Sequence, residues 1–276
     1  MTGVQTCALP ISDALGCGRS SKPSQGLKTR FPRYNYADMV QAQHRMLTEG
    51  LGVHHLKALI GYSMGGMHTW LWAQKHPGFM DVAVPMGCMP TPISGRNWMM
   101  RRMVIVAIRN DPEWQQGEYQ RPLASAHRAL TYYAVATSGG TWGLYKAGPD
   151  QVAANAWLDA RLASAALVDA NDALYQYEAA RDYDASLELE HIQARVLAIN
   201  NADDERNPPE LGLMDRSIAR VPQGRAWWVP ASEHTVGHAT LGSPRWWKDE
   251  LARELALLDR KSTRLNSSHV ALSRMP

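Results

Sequence analysis

The stretch HLKALIGYSMGG, residues 55–66, decides the fold of this chain. Its apolar start, HLKALIG, predicts a strand over 55–61, and a helical pattern runs from Gly65 to about Lys75. Between them, Gly61-Tyr62-Ser63-Met64-Gly65 matches the pattern G-x-S-x-G. We expect glycines beside the serine because the turn from strand to helix is so sharp that side chains there would collide. Such a turn presents the Ser63 hydroxyl at the carboxyl end of the strand, where it can act as a nucleophile.

Strand and helix patterns alternate on both sides of this turn. The patterns predict strands over 80–86, 194–199 and 225–229, and helices over 36–49, 208–221 and 244–258. Asn35 is the expected cap of the first of these helices. The intervening stretch from about 90 to 190 is helical and amphipathic throughout. The sequence therefore predicts the α/β class, with a mostly parallel sheet and an inserted helical cap.

A serine nucleophile needs a base, and the base needs an acid that orients it. Asp204 is our first candidate for the acid and Asp203 the alternative, because both directly follow the strand predicted over 194–199. His238 is the candidate base, since Gly237 before it favours a tight turn that directs the ring toward Ser63; His234 is the alternative. The order serine, acid, histidine is the one found when such a triad sits on an α/β sheet.

The remaining chemistry-bearing residues support other roles. The backbone N–H of Met64 opens the helix after Ser63 and is the predicted donor to an oxyanion. His234 and His238 are four residues apart, but the segment between them lacks the glutamate of a zinc motif, so we expect no metal. Cys88 follows a strand and is expected to be buried packing.

Composition excludes several partner classes. Three basic residues of the 16-residue tail, Lys261, Arg264 and Arg274, account for the net charge of +3, so the rest of the chain is neutral. We therefore expect no nucleic-acid partner. The sequence contains no apolar run long enough for a membrane helix. Three cysteines and no recognisable signal segment favour a reducing, cytoplasmic location.

Several longer segments carry a family resemblance. They are the extended turn GYSMGGM, FPRYNYADMVQAQ before it, AIRNDPEWQQGEY and DANDALYQYEAARDYD in the helical block, NADDERNPPE around Asp204, and Gly237-His238. Together these resemble the homoserine O-acetyltransferase family of the α/β-hydrolase superfamily.

The resemblance implies an α/β-hydrolase fold and acyl transfer through Ser63, Asp204 and His238. The partners it implies are a small acyl acceptor and acetyl-CoA or another acyl donor as co-substrate, with no permanently bound cofactor. A homodimer is left open. Two alternatives remain: an esterase that uses water as acceptor on the same triad, and a non-catalytic ligand-binding protein that keeps the fold.

One departure from the family concerns the acceptor. Members of the family usually carry Arg-Gln where this chain has Ile105 and Val106. If that arginine holds the carboxylate of the acceptor, homoserine should be a poor acceptor here. Arg101 and Arg102, one helical turn away, are the candidate substitutes.

The two ends of the chain differ from the rest. Residues 1–11 and 261–276 resemble translated sequencing adapters, so we assign them as foreign segments. The core is then predicted over 12–89 and 191–260, with the cap over 90–190. The resemblance implies further strands before Asp13, including one whose loop supplies a second oxyanion donor. We expect the chain without them to be catalytically impaired, and to be largely insoluble or to lack a cooperative melt.

Overall fold

A computed structural model describes residues 12–257 and contains one parallel sheet. Its strands are β1 (Leu56–Tyr62), β2 (Met80–Met86), β3 (Arg195–Asn201) and β4 (Gly224–Val229), in the spatial order β1-β2-β3-β4. All three neighbouring pairs are parallel; for example, Ile60 is level with Val84, and Ala198 with Ala226. The α/β fold class predicted from the alternation is confirmed.

The two central strands are almost entirely buried. Every residue of β2 except Asp81, and every residue of β3 except Arg195, lies in the interior. This is the pattern of a parallel sheet that is covered on both faces, and it explains why these strands are continuous apolar runs without alternation.

The helices that follow strands hold the sheet in place. α1 (Tyr36–Arg45) begins at a capping box, in which Asn35 Oδ1 accepts from the backbone N–H of Asp38 at 2.9 Å and Asp38 returns the bond. α2 (Met64–Lys75) packs on β1, β2 and α1. The middle of α2 is buried on all sides, with Trp70 and Trp72 inside, which is why it shows no polar face.

The segment between β2 and β3 holds a set of helices with a core of its own. They are α3 (Gly95–Arg109), α4 (Ala124–Thr137), α5 (Thr141–Ala147), α6 (Gln151–Ala165) and α7 (Ala170–Glu178). Val104, Ile105 and Ile108 of α3 are buried against Ala126 of α4 and Leu174 of α7. We call this set of helices the cap. The exact domain bounds given above stay predictions.

Three predicted helices differ from the observed ones. The helix predicted over 208–221 is broken, because Gly212 takes a left-handed conformation (φ 59°) between a short 3₁₀ turn, Pro209–Leu211, and α8 (Leu213–Ile218). The helix predicted over 36–49 ends its α-helical part at Arg45 and continues as a π-helical turn, Met46–Gly50. The last predicted helix starts as the 3₁₀ turn Pro244–Trp246, and its α-helical part, α9, covers 248–257.

The two ends of the chain lie outside residues 12–257. The segments predicted to be foreign, 1–11 and 261–276, lie outside the described residues. Within 12–257, no helix combines the length and the apolar character that crossing a bilayer requires.

Buried His68 of α2 should make the folded state sensitive to acid. Its side chain is 3% exposed, its Nε2 has no hydrogen-bond partner in the described chain, and burial lowers its pKa to about 4. Because an unfolded histidine titrates near 6.5, the neutral ring favours folding fully above that pH and loses this contribution as the pH falls toward 4. We expect the free energy of unfolding to fall by roughly 2–3 kcal/mol from this group between pH 7 and 4.5.

Urea unfolding at the two pH values, in a soluble protein that carries residues 12–257, measures this loss. His68→Gln should remove the loss, whereas the same change at exposed His54 should keep it. An equal pH dependence in wild type and His68→Gln would show that the neutral buried ring is not the cause.

Candidate active site

Ser63 stands at the junction of β1 and α2 in a strained conformation. Its φ and ψ are 55° and −114°, a region that non-glycine residues seldom adopt. Two hydrogen bonds hold it there: the Ser63 N–H donates to the Met86 carbonyl at 2.8 Å, and the Met67 N–H donates to the Ser63 carbonyl at 3.0 Å. The hydroxyl therefore stands clear of the sheet edge, as the G-x-S-x-G pattern predicts.

The glycines around Ser63 have different roles. A Cβ on Gly61 would overlap the carbonyl of Gly65, and one on Gly66 would lie 2.7 Å from both Cys88 Sγ and the Met86 carbonyl oxygen. A Cβ on Gly65 would meet nothing within 4 Å in the described chain. The expectation that side chains on both flanking positions collide is therefore wrong for Gly65, which faces open space. Gly66, one residue further on, is the position that close packing against β2 restricts.

Ser63, His238 and Asp204 form a continuous chain of hydrogen bonds. His238 Nε2 lies 2.9 Å from Ser63 Oγ, and His238 Nδ1 lies 2.8 Å from Asp204 Oδ2. The side chains of His238 and Asp204 are buried, at 6% and 0% exposure. With Asp204 ionised, Nδ1–H donates to the carboxylate, which leaves Nε2 to accept the Ser63 hydroxyl proton.

The surroundings of Asp204 favour its charged form. Burial alone would raise the pKa of this carboxyl, but His238, Asn207 and the backbone N–H of Arg206 together hold it below the usual value. Asn207 Nδ2 donates to Oδ2 at 2.9 Å, and the Arg206 N–H donates to Oδ1 at 2.8 Å. The acid can therefore remain ionised at neutral pH although it is buried.

The backbone of His238 is fixed from two sides. The Tyr62 hydroxyl donates to the His238 carbonyl at 2.6 Å, and its ring stacks on the imidazole at 5.4 Å. The His238 N–H donates to Glu205 Oε2 at 3.0 Å. Burial raises the pKa of Tyr62 to about 12, so its hydroxyl remains a donor over the physiological range.

The alternative acid and base lie elsewhere. Asp203 accepts hydrogen bonds from Thr235 Oγ1 at 2.7 Å and from the Gly237 N–H at 3.2 Å, so it braces the loop that carries His238. His234 is exposed, and its Nε2 lies 3.9 Å from Glu233. Of the predicted candidates, the geometry brings Asp204 and His238 to Ser63.

Ser63, His238 and Asp204 line a cavity of about 520 Å³ between the sheet edge and the cap. Residues of the cap line it from one side and loops of the sheet from the other: Asn97, Arg101, Trp142, Cys88, Arg206 and Leu213. Cys88 is buried, as predicted, and burial raises the pKa of its thiol well above the usual range. A thiol in this state is a poor nucleophile.

Met64 begins α2 directly after Ser63. The first N–H groups of a helix have no acceptor within the helix, so the Met64 N–H is free of an intrahelical bond.

The two candidate arginines differ sharply. Arg101 is 7% exposed and lines the cavity, whereas Arg102 is exposed and does not line it. Arg101 Nε donates to Asn97 Oδ1 at 3.1 Å, and its guanidinium lies 5.8 Å and 5.4 Å from the ring centres of Tyr133 and Tyr177. Within residues 12–257, no carboxylate lies within ion-pair distance of Arg101.

The sequence and the fold are similar to those of known proteins. The sequence profile of the alpha/beta hydrolase fold matches residues 10–236. The chain belongs to this family. Among its relatives, a probable acyltransferase of Methanothermobacter thermautotrophicus is 28% identical over 204 residues, which are 74% of this chain and 62% of the relative. A homoserine O-acetyltransferase of Haloarcula marismortui is 37% identical over 106 residues, 37% of this chain and 25% of the relative.

Solved structures of the family share the fold. A homoserine O-acetyltransferase from Bacillus anthracis superposes with a TM-score of 0.72 at 20% identity, covering 86% of this chain and 70% of that one. An acetylester hydrolase from Corynebacterium glutamicum gives 0.72 at 19% identity, covering 88% and 73%. The α/β-hydrolase family and fold predicted from the sequence are confirmed, and homoserine O-acetyltransferases are among the relatives. The chain spans 62% and 25% of the two relatives compared by sequence.

Glu205 and Arg206 are site residues that sequence reasoning missed. Both line the cavity beside Asp204, and Arg206 lies 4.7 Å from the ring centre of Tyr133 in the cap. Their adjacency to the candidate acid was visible in the sequence, but nothing in it indicates which loop they contact. No group of three or more histidine, cysteine, aspartate or glutamate side chains in the described part of the chain could hold a metal ion.

We predict that Ser63 and His238 are each essential for reaction at the serine. Ser63→Ala should abolish labelling by a fluorophosphonate probe, and His238→Ala should slow 4-nitrophenyl acetate turnover by several orders of magnitude, because triad members act as a unit. Asp204→Asn should lower turnover about 10⁴-fold by leaving the imidazole in the wrong tautomer.

Matched controls come from the neighbouring candidates. His234→Ala should leave turnover near wild type, and Asp203→Asn should lower it far less than Asp204→Asn. A nearly inactive His234→Ala beside an active His238→Ala would contradict this assignment.

Proposed function

We propose that the protein transfers an acyl group through an ester on Ser63 to the hydroxyl of a small acceptor. The observation that carries this proposal is the hydrogen-bonded chain from Ser63 through His238 to Asp204, which opens into the cavity beneath the cap. The acyltransferases among the relatives support it. Acetyl-CoA or another acyl donor would be the co-substrate, and no permanently bound cofactor is needed.

The geometry suggests two half-reactions. In the first, Ser63 Oγ attacks the carbonyl of the donor while His238 Nε2 takes the serine proton; the Met64 N–H donates to the oxyanion that forms. The leaving thiol then departs with the proton from His238. In the second, His238 takes the proton of the acceptor hydroxyl, which attacks the acyl-serine, and Ser63 regains a proton as the new ester leaves.

Arg101 supports an acceptor that carries an anionic group. A buried guanidinium without a carboxylate partner is unfavourable, and a carboxylate bound beside it would compensate with strong, charge-assisted hydrogen bonds. Ile105, the position on which the expectation about homoserine rested, is buried in the cap core and does not line the cavity. We therefore assign acceptor recognition to Arg101, and whether homoserine is a poor acceptor depends on Arg101 rather than on position 105.

Water as acceptor and a non-catalytic role remain the alternatives. An esterase would use the same acyl-serine and differ only in the second half-reaction. A ligand-binding protein would hold a molecule in the cavity without forming that intermediate.

Product analysis with acetyl-CoA separates these functions. We expect the protein to release CoA slowly on its own and faster when a hydroxyl acceptor is present, with the acetyl ester of the acceptor as product. Release of acetate alone, unchanged by any acceptor, would indicate an esterase. Failure of a fluorophosphonate to label Ser63 in the folded protein would favour the non-catalytic role.

Arg101 should set the preference for acceptors with a carboxylate. A suitable pair is homoserine and 3-aminopropan-1-ol, which differ only in that group. A charged hydrogen bond contributes about 1.5–3 kcal/mol, so Arg101→Met should lower the ratio of kcat/KM for the first over the second about 10- to 100-fold. The measurement is acceptor kinetics at saturating acetyl-CoA.

Arg102→Met is the matched control, since it removes the same charge from the adjacent, exposed position. It should leave the ratio unchanged within about twofold. A wild-type enzyme that prefers the uncharged amino alcohol, or an equal effect of the two substitutions, would refute the role of Arg101.

A further inference from the structure

The segment Asp204-Glu205-Arg206 contacts two loops that meet above the cavity. Asp204 bonds His238, as described above. Glu205 Oε2 accepts the His238 N–H at 3.0 Å, while its Oε1 accepts the N–H of Gly139 at 3.1 Å and that of Gly140. One carboxylate therefore joins the loop of the candidate base to the cap segment 138–140, between α4 and α5.

The partners of Glu205 are unusual for a charged side chain. All three of its donors are backbone N–H groups, and no lysine, arginine or histidine side chain in residues 12–257 lies within ion-pair distance of it. Hydrogen bonds from several N–H groups fix the orientation of a carboxylate. Although Glu205 lines the cavity, both of its oxygens are already engaged.

The two loops are shaped to meet at this carboxylate. Gly140 and Gly237 both have positive φ, 63° and 57°. A Cβ on Gly140 would overlap the backbone of Gly237, and one on Gly237 would overlap Glu205 and the Gly140 nitrogen. The backbones of the cap segment and the histidine loop are thus in direct contact, with room for the Glu205 carboxylate and for nothing larger than glycine.

The contact between the two loops lies next to residues that line the cavity. α5 begins at Thr141, the residue after Gly140, and both Thr141 and Trp142 line the cavity. Arg206 reinforces the same junction, since its Nε donates to the Thr137 carbonyl at 3.0 Å and its guanidinium bonds the Ser138 hydroxyl. A shift of this segment would therefore move the cavity wall and the backbone of His238 together.

We propose that Glu205 is a positioning residue for the reaction at Ser63. Its carboxylate fixes the backbone of His238, so that Nε2 meets the serine hydroxyl, and ties this geometry to the position of the cap segment 138–140. The inference rests on the proposed role of Ser63 as nucleophile, and it adds a residue outside the Ser-His-Asp set.

Inactivation by a fluorophosphonate tests this role in the full chain. In that reaction the Ser63 Oγ–P bond forms and the P–F bond breaks, while His238 takes the serine proton and fluoride leaves. The maximal rate constant, kinact, reports the geometry of Ser63 and His238, and the concentration for half-maximal rate, KI, reports probe binding. Glu205→Gln replaces one acceptor oxygen by an NH₂ group that cannot accept an N–H bond. We expect it to lower kinact about 10- to 100-fold, as misplacement of a reacting group by about 1 Å can do, with KI changed less than threefold.

Two further variants make the result specific. Glu188→Gln removes the same charge from an exposed carboxylate that does not line the cavity and should leave kinact within about twofold. Glu205→Asp restores the charge with a shorter reach and should recover part of the lost kinact. If Glu205 had only a structural role, the loss of kinact in its two variants would instead follow their loss of stability, measured as the urea midpoint of unfolding.

The outcomes separate this inference from the proposed function. If the wild-type protein is not labelled at Ser63, the proposed nucleophile fails, and the inference fails with it. If the wild type is labelled and folded Glu205→Gln reacts with the same kinact, only the positioning role is refuted. Equal losses in Glu205→Gln and Glu188→Gln would also refute it, since they would reflect general charge removal.

Discussion

The strained backbone of Ser63 is the constraint on which the rest of the site depends. A residue at φ 55° and ψ −114° costs about 1–3 kcal/mol and persists only where its surroundings enforce it. Here β2 enforces it through the Met86 carbonyl, and α2 does so through the Met67 N–H. The strain is therefore balanced by the sheet and the buried helix together. As a result, the direction of the Ser63 hydroxyl is fixed by the core of the molecule rather than by the cavity.

The parallel sheet then determines which other residues can reach that hydroxyl. The carboxyl ends of parallel strands lie at one edge, so the loops after β1, β3 and β4 meet there although they are far apart in sequence. Ser63 leaves β1 directly, Asp204 leaves β3, and His238 belongs to the loop after β4. His238 comes from the longest of these loops, and side chains hold its backbone on both sides, Tyr62 at the carbonyl and Glu205 at the N–H.

The same physics explains what could be predicted from the sequence. Ser63 and the order of acid and base follow from patterns that are local to a strand end, so they are readable without a structure. Arg101 and Arg102 could not be separated, because adjacent helical residues differ by about 100° in direction and only the packing of the cap decides which one is buried. The break at Gly212 was missed because a glycine in a helical pattern is often tolerated. Glu205 was missed because contact between two distant loops leaves no periodic signal.

Glu205 and Arg101 both line the cavity without an oppositely charged side chain at ion-pair distance in residues 12–257, and they are satisfied in different ways. Glu205 has three backbone N–H donors for its two oxygens, so its charge is already compensated within the fold. Arg101 has one amide oxygen, the nearby Tyr36 hydroxyl and the faces of two tyrosine rings for a guanidinium that carries five N–H groups. Ring faces attract a cation but accept its hydrogen bonds only weakly. The guanidinium of Arg101 is therefore the less fully satisfied of these two charges. This favours an anionic ligand group at the cap side, while the negative charge of Glu205 serves to hold the loops in place.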